Sequence, residues 1–284
     1  MPFTLAHPAV VIPLKKHLKK WGVLSALIIG SMTPDFSYFL PLGISRYETH
    51  SLSALLWFCL PVGLTFYYIY HILLAPVLLS ISPQGFKQRL NANITLGKLP
   101  SATFTAIVLS LLIGSATHII WDLLTHPPHV LPSSLASWMN IVVIKFDGYT
   151  VQIYRLLQHL STFLGIGLVI YWIRQWYKNT PPTQQAFWQP PSLFQTLALP
   201  VFILLPIIAG LIAGYLSASY LAETSQAPFL FKAILAVRDV IIYGGRYLLL
   251  TWLLLGITYW VLLTGYYATY TCNNHGSFKF KSII

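Results

Sequence analysis

Apolar runs of membrane-crossing length constrain this chain more than any other feature. Residues 21–40, 52–80, 102–125, 156–177, 193–218 and 247–270 are dominated by apolar and aromatic side chains. About 20 such residues span the hydrocarbon core of a bilayer as a helix. The runs therefore predict an all-α fold, a polytopic transmembrane helical bundle of about six spans. A soluble domain carries about 25% charged residues; here the figure is 8%, with a mean hydropathy of +0.68. That excludes a soluble enzyme. Residues 1–284 read as one integral membrane domain, with the chemistry-bearing residues in 1–126 and C-terminal spans in 127–284.

Two segments do not fit a simple span. Residues 3–20 are too short and end in Lys15, Lys16, His17, Lys19 and Lys20, so they read as a short N-terminal helix. The path from His7 to Lys20, and that from Gly22 to Asp35, would each cover about 20 Å as helix. A helical hairpin would thus bring His7 and Asp35 to one level; the other arrangement makes 21–40 a full span with 1–20 on the surface. Residues 229–270 would measure about 60 Å as one helix, twice the hydrocarbon thickness. A break is expected at Gly244-Gly245. Lys232, Asp239 and Arg246 recur every seven residues, which predicts an amphipathic helix over 229–243 before a last span at 247–270. The stretch 126–154 reads as a Pro- and Ser-rich loop, and Pro181, Pro182, Pro190 and Pro191 mark a linker.

Seventeen basic residues stand against six acidic ones. In a membrane protein that excess points to topology and to the headgroups of the lipid bilayer, not to nucleic acid. The positive-inside rule puts the first Lys cluster, Lys87/Arg89/Lys98, Arg174/Lys178 and Lys279/Lys281 on the cytoplasmic side. Arg46 with Glu48, Lys145 with Asp147 and Arg155, and Glu223 then lie outside. Cys59 and Cys272 have neither metal spacing nor a disulfide pattern. The N-terminus lacks the basic region and cleavage site of a signal peptide. Nothing in the sequence sets an oligomeric state.

The chemistry concentrates at one end of the predicted bundle. His118, Asp122 and His126 are four residues apart and share a helix face. Pro34-Asp35 closes the element before, and Thr49-His50-Ser51 opens the span between. His7 joins them if the hairpin forms. Ionisable residues at membrane depth are costly and mark sites by default. Imidazole with carboxylate suits a divalent zinc, manganese or iron ion. The metal set is therefore His7, Asp35, His50, His118, Asp122 and His126. Asp35 or Glu48 is the candidate general base. His71, His17 and His129 read as packed, headgroup-layer and loop residues. His159 opens a span and has a lesser claim as a further ligand.

No His-Glu-x2-His, Gly-x-Ser-x-Gly or Walker A pattern is present, which argues against a zincin, a serine hydrolase and an ATP-driven pump. The order His7, Pro34-Asp35, Thr49-His50-Ser51, His118-x3-Asp122-x2-Thr125-His126 resembles an uncharacterised bacterial integral membrane family, domain of unknown function 4184. Pro2-Phe-Thr-Leu-Ala-His7-Pro8 and Gly30-Ser-Met-Thr-Pro34-Asp35-Phe36 are its phrases, and the likeness covers most of the chain. Residues 5–126 are more distantly similar to the LexA-regulated, membrane-bound predicted metal-dependent hydrolases. Ser37 stands where those carry a second Asp, one carboxylate fewer than a two-metal site would use. The resemblance implies a bacterial inner membrane. It also implies a metal-dependent hydrolase; the place of the residues at the outer headgroup level points to a lipid or lipid-linked phosphoester as its substrate. The rival readings are a small transporter or proton- or metal-handling protein using the same residues, and a non-catalytic scaffold.

Overall fold

The computed structural model describes residues 4–90, 101–127, 131–146, 149–183 and 190–273, with Tyr149 and 267–273 as backbone only. The expectations for Lys98, His129, Asp147, Lys279 and Lys281 lie outside the described residues, and the side chain of Cys272 does too. Among the described residues the regular structure is helical apart from one small ribbon. Five helices among the described residues are long and apolar enough to cross a membrane. They are α4 (Leu55–Ile81), α5 (Phe104–Thr125), α7 (Ile153–Asn179), α8 (Ser192–Thr224) and, through its portion Phe229–Tyr266, α9 (Phe229–Asn273). Two compact units form: Met1–Tyr67 with Ala102–Trp176 and Tyr215–Arg238, and Tyr68–Ser101 with Tyr177–Gly214 and Asp239–Ile284.

In the first unit, residues 21–40 do not span. They hold α2 (Leu24–Gly30), seven residues long, followed by a helical turn at Thr33–Asp35. With α1 (Pro8–Leu18), α2 makes the hairpin arrangement, so five long apolar helices replace the six expected. Local chemistry explains the turn. Pro8 sits in the first turn of α1, where its missing N–H is not needed. Lys15, Lys16 and His17 face the negative end of its dipole. Lys19 takes a left-handed φ of 50°, and the Lys15 ammonium donates to its carbonyl at 2.8 Å. The tip is pinned to α5 through Ser110, whose Oγ accepts from Val23 N at 2.9 Å and donates to the Trp21 carbonyl at 3.2 Å.

The hairpin and α5 pack backbone to backbone. A Cβ on Gly30 would collide with the Leu111 carbonyl, and one on Gly114 with the Leu27 carbonyl. Glycine at both places is what lets α2 lie against α5, as small residues do between membrane helices. Ser115 Oγ then donates to the Gly30 carbonyl at 3.0 Å. The described residues of 126–154 include regular structure where the sequence predicts a loop. They contain α6 (Ser133–Met139) and an antiparallel ribbon of β1 (Val142–Phe146) and β2 (Tyr149–Gln152). Alternation over residues 142–146 is masked in the sequence, because β1 is exposed along its whole length.

In the second unit, Val77, Phe194, Ala198, Tyr259 and Leu263 form a buried core. Within α4, wide turns with i to i−5 bonds precede both prolines, at Leu55–Cys59 before Pro61 and at Tyr70–Leu74 before Pro76. Proline has no N–H, so the carbonyl four residues back loses its donor. The carbonyl so released before Pro76 belongs to Ile72, and it accepts from the Trp260 indole at 2.6 Å; Trp252 donates to the Leu74 carbonyl at 3.0 Å. The expected break at Gly244-Gly245 is absent: α9 runs unbroken for 45 residues, so 229–243 is not a separate helix. Gly244 serves close packing instead. A Cβ on Gly210 of α8 would lie 2.7 Å from the Val240 carbonyl and 3.3 Å from the Gly244 Cα. Each glycine costs about 1 kcal/mol of helix propensity against alanine, and this approach of the two backbones offsets it.

Candidate metal centre

Six of the seven residues singled out in the sequence converge in the first unit. His118 and Asp122 come from α5, and His126 caps its end. Asp35 comes from the turn after α2, His7 from the residue before α1, and His50 from the residue after α3 (Arg46–Thr49). All but His50 are buried.

Four atoms form the centre: Asp35 Oδ1, His50 Nε2, His118 Nε2 and Asp122 Oδ2. The two imidazole nitrogens are 3.3 Å apart. Asp122 Oδ2 lies 3.2 Å from His50 Nε2 and 3.5 Å from His118 Nε2. Asp35 Oδ1 lies 3.4 Å and 3.7 Å from the same two atoms. Four ligands at about 2.0–2.1 Å from a tetrahedral zinc stand about 3.3–3.4 Å from one another. Those five separations, 3.2–3.7 Å, are close to that value, and all four atoms lie within 4.8 Å of one another, near enough to share one ion.

The surroundings fix which atoms point inward. His118 Nδ1 donates to the Ser31 carbonyl at 2.7 Å, and His50 Nδ1 to the Arg46 carbonyl at 3.0 Å. A carbonyl can only accept, so each Nδ1 carries a proton, and whenever the ring is neutral Nε2 keeps its lone pair. Metal-ligating histidines are held in this way. Thr4 Oγ1 donates to Asp35 Oδ2 at 2.7 Å, which leaves Oδ1 for the centre. Arg46 donates to Asp122 Oδ2 at 2.7 Å.

Charge counting leads to the same place. Arg46 balances one of the two buried carboxylates, and an unbalanced buried charge is expensive. Burial pushes the His50 imidazole down, but hydrogen bonds to Asp122 and Asp35 outweigh it and hold its pKa above the ordinary value. A proton on His50 would neutralise the second carboxylate but satisfy only some of the four convergent atoms. A divalent ion would satisfy all of them.

Two neutral imidazoles flank the centre. Burial pushes His126 down to about 3; burial, then the adjacent His118, push His7 to about 3. The 3.4 Å approach of His126 Nδ1 and the 3.8 Å approach of His7 Nε2 to Asp122 Oδ1 are thus not ion pairs. His7 stacks on His118 with ring centroids 3.7 Å apart. Both His7 nitrogens, His126 Nε2 and Asp122 Oδ1 are buried without a hydrogen-bond partner.

Glu48 does not join them. Its exposed carboxylate accepts from Ser45 N and Ser45 Oγ at 2.8 and 2.6 Å, closing a capping box on α3. Those bonds from Ser45 hold its pKa below the ordinary value. Ser45-x-x-Glu48 is a capping-box pattern, and that role was readable. His17 and His159 are exposed and outside the four-atom group. Sequence reasoning missed Thr4 and Arg46. Arg46 precedes His50 by four residues, a spacing that could have drawn notice.

These features define a multi-pass helical membrane protein with a buried His/Asp centre at the junction of a short hairpin and a long helix. The chain belongs to the family described as Domain of unknown function (DUF4184), whose profile matches residues 1–257. No curated protein and no solved structure matches it.

Proposed function

We propose that this protein is a membrane-bound metal-dependent hydrolase acting on a lipid or lipid-linked phosphoester. The observation that carries the reading is the group of four ligand atoms within 4.8 Å of one another, with both imidazoles held by backbone carbonyls. Asp35, His50, His118 and Asp122 hold zinc, manganese or iron. Such an ion supplies Lewis acidity and makes water acidic enough to react near neutral pH.

The remaining roles fall to the chain's own residues. Thr4 and the Ser31 and Arg46 carbonyls orient the ligands. His7 and His126, neutral and with unpartnered nitrogens, accept or deliver protons at the edge of the site. Arg46 supports a phosphate substrate, because its buried Nε has no partner while its Nη2 holds Asp122. Guanidinium recognises phosphate oxygens with two donors at once. In the first unit the basic turn 15–20 ends α1 opposite His7. By the positive-inside rule that turn is cytoplasmic in a bacterial inner membrane, with the centre toward the outer face.

Metal content of the purified protein, beside a His118→Ala/Asp122→Ala double mutant, tests the reading. Near-stoichiometric metal that the mutant loses, with phospholipid phosphoester hydrolysis lost in parallel, is the expected result. No metal in either after incubation with excess ion would move the cluster to proton handling or packing.

A further inference from the structure

The ribbon of β1 and β2 lies between α6 and α7, in the unit that holds the centre. Its register sorts its side chains. Opposite residues of an antiparallel pair share a face, so Ile144 and Phe146 lie on one face with Val151, and Lys145 on the other with Thr150. Every residue of β1 is exposed, Ile144 at 53% and Phe146 at 68%. Trp138 at the end of α6 is also exposed. The ribbon is fastened to α7, because Ile153 N, at the start of that helix, donates to the Ile141 carbonyl at 3.1 Å. Helix length sets the level of this junction. The 27 residues of α7 measure about 40 Å, against a bilayer of about 40–45 Å with its headgroup layers. Its first turn therefore lies among headgroups. Arg155 Nε donates there to Tyr154 Oη at 3.1 Å, a basic and aromatic pair of the kind that marks the interface. Helix α6 has seven residues, too few to cross, so the ribbon is on the same side as His126 at the end of α5.

We propose that the ribbon docks into the headgroup–acyl boundary of the bilayer leaflet at the centre's end of α5, with Ile144 and Phe146 toward the acyl chains and Lys145 toward lipid phosphate. Opposed constraints select that occupant. Water is a poor place for the apolar face, and an open two-stranded ribbon there invites pairing with other chains. The hydrocarbon core is no better, because each strand has an outer edge without a third strand among the described residues, and unpaired backbone groups are not tolerated at that depth. The boundary meets both demands: acyl chains cover the apolar face, while water and headgroups satisfy the edges. Amphipathic elements with a basic polar face lie in that layer. A second copy of the chain is disfavoured as occupant by β1 itself. Its register is irregular between Val142 and Ile144, and it carries Lys145; bulges and lysines on a strand discourage edge pairing. The docking is independent of the hydrolase reading, and it would hold the end of α5 that bears Asp122 and His126 at headgroup level.

The test uses the full-length protein with Cys272→Ser, in nanodiscs of phosphatidylcholine and phosphatidylglycerol; Cys59 is buried and stays. Single spin labels are placed at Ile144→Cys, Lys145→Cys, Phe146→Cys and, as a deep reference, Leu164→Cys on the exposed side of α7. Leu164 lies about 17 Å along α7 from the ribbon junction. Power saturation with oxygen and with a water-soluble nickel complex reports the depth of each label. Labels at 144 and 146 should lie about 5–10 Å into the boundary, the label at 145 shallower, and that at 164 deepest. Labels at 144 and 146 as open to nickel as free label in buffer place the ribbon in water and overturn the proposal. Depth equal to that at 164 overturns it too. So does dipolar broadening that disappears on dilution with unlabelled protein, which would mean a second copy on β1. A second variant guards against a merely local effect of the label. Ile144→Asp with Phe146→Asp should move a label at Val143→Cys from lipid into water, while circular dichroism shows the helices intact; a label that stays where it was also overturns the docking.

Discussion

His118 and His71 invite comparison. Both sit inside long apolar helices and both are buried, at 0% and 7% exposure. His118 meets Asp122 of its own helix together with Asp35 and His50 from two other segments of chain, and its ring is locked by the Ser31 carbonyl. His71 lies edge-on to Tyr70, ring centroids 4.9 Å apart, and is not in the four-atom group. A histidine within an apolar helix is thus no sign of a site by itself. What distinguishes a site is several elements delivering complementary donors to one point.

The sharpest way to break this contrast is to remove each histidine or its partner. His118→Ala or Asp122→Ala should abolish stoichiometric metal, whereas His71→Ala should keep it, as elemental analysis would show. Asp122→Ala also strands the part-buried Arg46; losing one partner of a fully buried pair costs about 3–5 kcal/mol, so a smaller fall in thermal stability without added metal is expected. Equal metal loss in His71→Ala would erase the distinction.

Packing around His118 offers the next test. Gly114→Ala forces its Cβ against the Leu27 carbonyl and the Ser31 amide, and so displaces the carbonyl that holds His118. Metal affinity should drop about 10–100-fold, as when orienting partners are lost. Gly167→Ala, with nothing within 4 Å of its Cβ, should leave affinity unchanged. Thr4→Val should act in the same direction as Gly114→Ala, at the lower end of that range, by freeing Asp35.

Protons probe the centre more gently. The His50 pKa is raised, so below it a proton competes with the ion for Nε2. Apparent metal affinity should rise with pH, by at most about tenfold per unit, and level off above the His50 pKa. His7 and His126, with pKa about 3, stay neutral over this range and add no slope. Chelator competition at several pH values measures it, and a flat or falling profile would remove His50 from the shell. The smallest effect belongs to the second unit. Trp260→Phe loses the indole bond to the Ile72 carbonyl, worth about 0.5–1.5 kcal/mol, and should lower stability with no change in metal content.

The site was more legible than the architecture around it. His118, Asp122 and His126 share a face by helical spacing alone. The rise per residue brought His7 and Asp35 to one level, and the structure joins them through Thr4 and Asp122. Glu48 misled because a carboxylate near His50 looks the same in sequence whether it caps a helix or serves a site. Gly244-Gly245 misled because glycine permits a break and a close approach alike, and the partner that chooses, Gly210, is 34 residues away.

By itself the sequence determined the membrane-helical class, the long apolar helices and the residues able to form a polar centre. Hydropathy and helical period are local properties, and each is summed over a single segment. Only the tertiary structure decided that 21–40 folds back as half a hairpin. Only there does each imidazole present Nε2, Arg46 take Asp122, and Trp260 satisfy the carbonyl released by Pro76. Those outcomes depend on which donor meets which acceptor across segments far apart in the chain, and no local pattern encodes that pairing.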